Sequence, residues 1–449
     1  MQFQLTSDFI EQIATLIAKK DGNALREVLQ DFHFADIAEL IEELKSDQAI
    51  YLVKQLESDL TSEALMEVDD DVREKILERL SPKEIAAELQ ELDTDDAADI
   101  IGELDKTIRQ KVINKIKDQE RAADIVELLN YDEDTAGALM AKELVQVKET
   151  WTVAGCVREM RRQAENVTRV HSIYVTNKDG KLTGRLSLKD LLTAEAKTKI
   201  SDVFIPKVDY VTVHTENEEV ARIMQKYDLE AIPVVDQQGV LVGRITIDDI
   251  VDFIKDEAEK DYQMAAGISQ DVEADDSILD LTKARLPWLV LGLIGGLGSV
   301  YIMRGYDEAL ATHVELFFFT PLIAAMAGNV GVQSSAIIVQ GLANDNVKGS
   351  LFKRLLKEVG LALINGLTLG LLVVLFGMVS AIDQKVSFTI AISMLLVIIV
   401  AALIGTFVPI ILDKKGIDPA IATGPFITTS NDIFGIFLFF FIAKMILNF

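Results

Sequence analysis

The segment GIDPAIATGPFITTSNDIFGIFLFFFIAKMILNF, residues 416–449, indicates the architecture of the chain. Between residues 419 and 443 it carries no charge except the carboxylate of Asp432, and a membrane-spanning helix needs about 20 such residues. An unpaired aspartate near the bilayer centre costs ~2.5–3.5 kcal/mol on insertion scales, and no Lys or Arg lies within a turn or two to offset that cost. The stretch therefore predicts a membrane span in which Asp432 is functional. The alternative is an aspartate that hydrogen-bonds a neighbouring helix and only aids assembly.

The residues just before Asp432 are polar rather than apolar. The sequence TTSN occupies positions 428–431, and Gly424 and Pro425 precede it, where they are expected to loosen the helix and free backbone carbonyls. Oxygen ligands of this kind suit hard cations, and hydrated Mg2+ is held by one or two carboxylates together with waters. The stretch thus indicates a divalent-cation site at Asp432, with Gly424 and Thr428 expected to line the path beside it.

Charge is divided unevenly along the chain. Residues 285–449 hold ten Lys or Arg and nine Asp or Glu, whereas residues 1–284 hold 34 and 62. An acidic soluble half is therefore joined to a nearly neutral hydrophobic half. Such a charge disfavours nucleic acid and anionic lipid as partners and favours cations.

Five apolar stretches are long enough to cross a lipid bilayer: 287–303, 316–342, 361–381, 388–412 and 419–446. With the N-terminus inside, the cytoplasmic flanks hold Lys283, Arg285, Lys348, Lys353, Arg354, Lys357, Lys414 and Lys415, and the outer loops hold only Arg304 and Lys385. This asymmetry fits the positive-inside rule. It predicts a multi-pass protein of the cell membrane with cytoplasmic N-terminal domains and the C-terminus outside. The first residues have neither a basic start nor an apolar core, so no signal peptide is expected.

The second apolar stretch contains AGNVGVQSS, which is expected to interrupt its helix. Gly328 lies there, and Asn329 and Gln333 are four residues apart on one helix face, so both amides point the same way. Irregular polar backbone is tolerated at membrane depth where it lines a cavity. These residues therefore indicate a pore lining; the alternative is close helix packing through small residues.

The soluble half has two parts. Segments such as FADIAELIEEL and ERAADIVELLN carry apolar residues at i, i+3 and i+4, which predicts stacked amphipathic helices over residues 1–131. Further on, SIYVTNKDGKLTGRLSLKDLL (172–192) and AIPVVDQQGVLVGRITIDDIV (231–251) align at an offset of 59 residues. Each reads as strand, glycine turn, strand and capped helix, and the pair resembles tandem CBS domains, which are expected over 132–247. A strongly acidic connecting helix (248–284) then leads to the transmembrane domain (285–449).

No enzymatic motif is present. The four histidines, His33, His171, His214 and His313, are scattered, and the sequence has neither a phosphate-binding loop nor a nucleophile signature. The lone Cys156 allows no disulfide within the chain and no zinc cluster. The protein is therefore expected not to be an enzyme.

The chain carries these motifs in order: YDEDTAGALM (131–140), the CBS-like pair, PLIAAMAGNVGVQSS and GIDPAIATGPFITTSND. Through them it resembles MgtE-type magnesium channels and transporters over essentially its whole length. The resemblance implies an α-helical N-terminal superhelical domain, a tandem α/β CBS pair, a connecting plug helix and a five-helix transmembrane domain. It implies Mg2+ uptake by a homodimer with the pore between the second and fifth spans of two copies. Asp432 of both subunits would hold hydrated Mg2+, helped by backbone oxygens near Gly328.

The resemblance also implies that cytosolic Mg2+ closes the pore by bridging acidic residues of the N domain, CBS pair and plug helix. The positions similar to the family's sensing sites are Asp95, Asp99, Glu216, Glu218, Asp228, Asp249, Asp252, Glu257, Asp261 and Asp418. For ATP as a modulator, Ser187, Lys189 and Asp190 match ribose- and phosphate-facing positions, but Ser172 and Leu229 supply no aromatic surface for the base.

Departures from the family pattern leave alternatives open. Val332 and Ala336 stand where some relatives carry polar residues, so selectivity among Mg2+, Co2+ and Mn2+ is not fixed. Lys260 occupies an otherwise acidic sensing position. The alternative functions are a secondary Mg2+ or Co2+ exchanger coupled to Na+ or H+, and a membrane-tethered nucleotide or ion sensor that transports nothing.

Overall fold

A computed structural model of the 449-residue chain describes residues 5–164, 167, 169–270, 272, 274, 276–343, 347, 349–422 and 424–448. Lys348, one of the predicted cytoplasmic cations, lies outside the described residues. The chain divides into two compact units, Met1–Ile254 and Lys255–Phe449.

The first unit begins with ten short helices, as the apolar spacing predicts. They are α1 (Ser7–Ala18), α2 (Gly22–Leu29), α3 (Phe34–Glu43), α4 (Ser46–Val53), α5 (Ser58–Glu67), α6 (Asp70–Leu77), α7 (Pro82–Glu88), α8 (Thr94–Glu103), α9 (Lys106–Ile113) and α10 (Gln119–Leu128). Alternate helices pack on one another, α3 on α5, α5 on α7 and α7 on α9, which gives a stack around a buried aliphatic core. Local signals set the helix starts: the Ser81 hydroxyl accepts from the Glu84 amide and the Glu84 carboxylate accepts from the Ser81 amide.

The repeat pair folds as two similar three-stranded units. The first contains β1 (Val145–Lys148), α11 (Val153–Gln163), β2 (Ile173–Thr176), β3 (Leu182–Leu186) and α12 (Leu188–Thr193); the second contains β4 (Val211–Thr212), α13 (Asn217–Tyr227), β5 (Ala231–Val235), β6 (Leu241–Thr246) and α14 (Ile247–Ala266). In each sheet the first strand pairs parallel with the second and the second antiparallel with the third, with Val175 opposite Gly184 and Val234 opposite Gly243. The predicted glycine turns are present, with φ of +80° at Gly180 and +81° at Gly239.

The second unit contains the membrane helices. After the end of α14 come α15 (Ile278–Arg304), α16 (Asp307–Thr312), α17 (Val314–Ala343), α18 (Leu351–Val379), α19 (Gln384–Lys414), a 3-10 turn (Pro419–Ala422) and α20 (Gly424–Leu447). Five helices in the described residues, α15, α17, α18, α19 and α20, are long and apolar enough to cross a membrane. The multidomain fold class expected from the sequence is confirmed.

Two local expectations are wrong. α17 runs without a break through AGNVGVQSS, because glycine and serine stay helical where they let neighbouring helices approach closely. Pro425 does not loosen the interior of a span. It is the second residue of α20, where a proline's missing N–H costs nothing.

Candidate functional site

Asp432 lies where α20 crosses α17. A Cβ added to the buried Gly328 would be 3.6 Å from Oδ1 of Asp432 and 3.2 Å from Cγ2 of Thr428, so the two helices pack closely at this glycine. The Asp432 side chain is partly exposed. In the part of the chain that the structure describes, no hydrogen-bond donor or cation pairs with its carboxylate. A purely structural bond from Asp432 to a neighbouring helix is therefore not seen among those residues.

The predicted pore-lining residues divide between two environments. Asn329 and Gln333 are exposed on one face of α17, although this helix is apolar enough to span a membrane. Exposed amides at membrane depth need water or another protein surface, since lipid offers no hydrogen bonds. On α20, the Thr428 hydroxyl donates to the Gly424 carbonyl oxygen at 3.0 Å, and Gly424 has a φ of +42°.

Three further predicted ligands belong to the second unit. Asp418 is exposed, and its Oδ1 accepts a hydrogen bond of 2.8 Å from the Ala420 amide at the 3-10 turn. Glu257 is partly buried on α14, 3.2 Å from Lys260. Lys260 therefore neutralises one acid on the helix expected to sense cations. Asp261 lies one residue further along and is also partly buried.

In the first unit, α8 and the start of α14 bring acidic side chains together. Asp95 and Asp99 of α8 belong to this set, together with Asp96 and Asp249, and we call these four residues the acidic cluster. Burial raises the pKa of Asp95 well above its ordinary value, and Asp96 and Asp249 raise it further. Burial also raises the pKa of Asp96 to about 8, with the charge of Asp249 contributing. Carboxylates that repel one another in this way are stabilised by added positive charge.

Arg244 and Glu143, which the sequence analysis missed, connect the elements of this region. The Arg244 guanidinium donates to Asp93 Oδ2 at 2.9 Å and to the Glu143 carbonyl oxygen at 2.5 Å. The Glu143 carboxylate in turn accepts from the Thr94 hydroxyl at 2.7 Å and from Arg121 at 2.9 Å. The helical part is thereby tied to strand β6 of the CBS pair.

A signal for Arg244 does exist in the repeat. Arg185 stands 59 residues earlier at the equivalent position of the first repeat unit, so both units place an arginine in the third strand. Arg185 is exposed, whereas Arg244 is buried. The repeat alone therefore marks the position without showing which copy forms the contact.

The remaining predicted acids of the first unit are exposed: Glu216, Glu218, Asp228 and Asp252. Glu216 immediately precedes α13, and Asp228 follows its end in the left-handed conformation, with a φ of +50°. Within the described residues no three His, Cys, Asp or Glu side chains are grouped so as to hold a metal ion. A cation held by the described residues of one chain would therefore have at most two such ligands, which is how hydrated Mg2+ is usually bound.

The predicted nucleotide-binding residues share one helix start. The Ser187 hydroxyl accepts from the Asp190 amide at 3.4 Å and caps α12, while Lys189 is exposed. Ser187 thus has a structural role as an N-cap.

The helices long enough to span a membrane carry exposed amides and a carboxylate that has no partner among the described residues. The same chain has an acidic unit before these helices. Together these features define a polytopic membrane protein of the cation-transporting class. Known protein families give the same result. Residues 32–134 match the family described as "MgtE intracellular N domain", and residues 136–197 and 200–256 match "CBS domain". Residues 320–442 match the family described as "Divalent cation transporter". The chain belongs to the MgtE family of divalent cation transporters, as the sequence predicts.

Individual relatives agree with this assignment. The chain is 35% identical to "Magnesium transporter MgtE" of Bacillus subtilis (strain 168) over 72% of its own length and 71% of the relative's. It is 35% identical to the protein of the same name from Thermus thermophilus over 72% of both chains. It also matches the solved "cytosolic domain of the Mg2+ channel MgtE in complex with ATP" at 35% identity and a TM-score of 0.52, over 54% of this chain and 99% of that one.

Proposed function

We propose that the protein is a channel for Mg2+ uptake across the cell membrane, with Asp432 as the carboxylate that attracts the ion. The observation that carries this proposal is the Asp432 carboxylate on a spanning helix, which lies opposite Gly328 and has no partner within the described part of the chain. Such a charge is costly in a bilayer and is retained where it serves ion passage. Relatives named magnesium transporters support Mg2+ as the ion, while transport of Co2+ or Mn2+ is left to a selectivity assay.

The pore forms between two copies of the chain in this proposal. Asn329 and Gln333 are exposed on α17, and a second copy placed against this face would cover them with protein and water instead of lipid. Two Asp432 carboxylates would then face a single path. Mg2+ would pass this point with its waters, because one or two carboxylates together with waters are its usual ligands.

Regulation by cytosolic Mg2+ would act through the acidic half. The acidic cluster brings repelling carboxylates together where α8 meets α14. Their oxygens are the ligands that Mg2+ prefers, so the residues present fit the ion. Cation binding at these carboxylates would favour the arrangement in which α8 lies against the start of α14. Several weak sites would add up by mass action. The exposed acids Glu216, Glu218, Asp228 and Asp252, together with Glu257, Asp261 and Asp418, are proposed as further regulatory ligands.

With an intracellular N domain and five candidate spans in the described residues, the C-terminus would lie outside the cell. The protein is proposed to have no catalytic role. ATP is proposed as a modulator held near Ser187, Lys189 and Asp190, supported by the ATP complex named for the solved relative. Binding of ATP to the full-length protein, compared with the Lys189→Ala variant, tests this part separately.

The decisive test is Mg2+ flux into vesicles that contain purified protein. Asp432→Asn is expected to abolish flux, because it removes the charge while keeping the shape. Asp413→Asn, a matched change at an exposed acid near the end of α19, is expected to leave flux unchanged. Normal flux through Asp432→Asn would refute the site. Loss of flux on collapsing a Na+ or proton gradient would identify a coupled exchanger instead of a channel.

A further inference from the structure

Asn431, the residue before Asp432, is almost completely buried, and its amide has no partner among the described residues. Its side chain is 1% exposed, and within the described residues neither Oδ1 nor Nδ2 takes part in a hydrogen bond. The amide lies over Gly331 of α17, where Nδ2 is 1.7 Å from the position that a Cβ on that glycine would occupy. Asn431 therefore fills the space that Gly331 leaves open.

Water does not resolve the unpaired amide. The gap beside Asn431 is too small to admit a water molecule, and its lining is almost wholly apolar: Val397, Val400, Ala401, Phe434, Gly435 and Leu438. On the other side of Gly331, α19 packs closely against α17. A Cβ on Gly405 of α19 would be 2.4 Å from the Gly331 carbonyl oxygen. Three helices, α17, α19 and α20, thus meet at this junction with the amide enclosed in it.

A buried amide without a partner is destabilising, whereas an apolar side chain of the same shape at that place is close to neutral. Packing alone would therefore favour leucine at position 431. The amide is favourable only in an arrangement of α17 and α20 in which it finds a donor or acceptor. Asn431 and Asp432 are neighbours on α20, about 100° apart around the helix axis. A rotation of α20 that moves Asn431 away from Gly331 therefore also changes the direction of the Asp432 carboxylate.

We propose that Asn431 is the positioning residue for Asp432: its fit over Gly331 sets the rotation of α20 in the arrangement described here, and its amide gains a hydrogen bond when α17 and α20 shift. The inference rests on the proposed transport function and extends it to the residue that couples helix movement to the ion site. The enclosed amide disfavours the present arrangement, so removing its polarity stabilises this arrangement relative to the other.

The test compares full-length variants in vesicles by the cytosolic Mg2+ concentration that halves flux. Asn431→Leu, which keeps the shape and removes the polarity, is expected to move that concentration at least about fivefold, the lower limit of typical coupling effects. The concentration measured for Asn431→Ser is expected to lie closer to that of the unaltered protein than the concentration for Asn431→Ala. The two variants differ by one hydroxyl group, which can form a hydrogen bond. Thermal unfolding of each purified variant checks that it is folded.

A folded Asn431→Leu variant with a midpoint within about twofold of the unaltered protein would overturn the inference, as would identical behaviour of the Ser and Ala variants. If Asn431→Leu does not fold, the Ser and Ala pair decides alone. Asp432→Asn, measured alongside, keeps the two proposals apart. Normal flux in that variant would refute the ion site itself, whereas an unaltered midpoint in Asn431→Leu with no flux in Asp432→Asn refutes only the role of Asn431.

Discussion

Arg244→Met is expected to loosen the contact between the helical stack and the CBS pair. Arg244 is 6% exposed, and its guanidinium joins strand β6 to the Asp93 carboxylate and to the Glu143 carbonyl oxygen. Methionine keeps the length and the apolar stem of the side chain but removes every donor. The substitution therefore tests the charge and the hydrogen bonds separately from the packing.

The size of the effect follows from the burial of the two partners. Removing one member of a fully buried ion pair costs ~3–5 kcal/mol. The Asp93 side chain is 24% exposed, so water recovers part of that cost, and we expect about 2–3 kcal/mol. This corresponds to a roughly 30- to 150-fold change in the equilibrium between docked and released helical stack. Added Mg2+ should reduce the change, because a bound cation offsets the repulsion within the acidic cluster.

Limited proteolysis of the full-length protein measures this equilibrium through cleavage near residues 131–142, between α10 and β1. Arg244→Met is expected to be cleaved faster than the unaltered protein, and added Mg2+ should restore part of the protection. Arg185→Met is the matched control, since Arg185 occupies the equivalent position of the first repeat and is exposed. Equal cleavage rates for both variants and the unaltered protein would refute the view that Arg244 holds the stack in place.

Three further predictions concern stability. Burial raises the pKa of Glu88, so its contribution is greatest at low pH and falls as the pH rises through the raised value. The unaltered protein should therefore gain stability as the pH is lowered from 7 to 5 in chemical denaturation. Glu88→Gln should gain less, because only the acidic cluster, whose pKa values burial also raises, still contributes; an equal gain would contradict the role of Glu88. Ser81→Ala removes the hydroxyl that caps α7 and accepts from the Glu84 amide, and should cost ~1 kcal/mol, seen as a lower midpoint in the same denaturation; an unchanged midpoint would argue against the cap. Gly405→Ala places a methyl group against the Gly331 carbonyl oxygen, and should cost ~1–3 kcal/mol, seen as a lower melting temperature in detergent; a stability equal to the parent's would show that the helices can separate there.

Regular features of this fold were predictable because each has a local cause. The helical stack follows from apolar residues at i, i+3 and i+4, and the two sheets follow from a repeat whose glycine turns keep a fixed offset. The five spans follow from composition alone, as confirmed by the five apolar helices. Asp432 stood out for the same reason, since a lone charge in an apolar stretch is visible without any knowledge of its surroundings.

Contacts between distant residues were not predictable in this way. Arg244 and Asp93 are 151 positions apart, and no local pattern links them. The helix break expected in AGNVGVQSS was wrong for a related reason. Glycine has a low helix propensity, which favours a break in this stretch. Packing of α19 against Gly331 overrides that propensity, and this packing depends on Gly405 of α19, which lies far away in the sequence.

Divalent selectivity, in the proposed dimer, follows from assembly more than from coordination geometry. One chain supplies a single carboxylate at Asp432, and the absence of any grouping of three His, Cys, Asp or Glu side chains among the described residues argues against a dehydrated ion in a cage. Two copies bring two negative charges to one path, where one divalent ion neutralises both and a monovalent ion leaves one charge uncompensated in a poorly solvated place. The exposed amides of Asn329 and Gln333 then serve to hold the ion's waters. On this reasoning, a mixed dimer with a single Asp432→Asn subunit should lose its preference for divalent over monovalent ions before it loses conduction, and a mixed dimer that keeps full Mg2+ selectivity would contradict it.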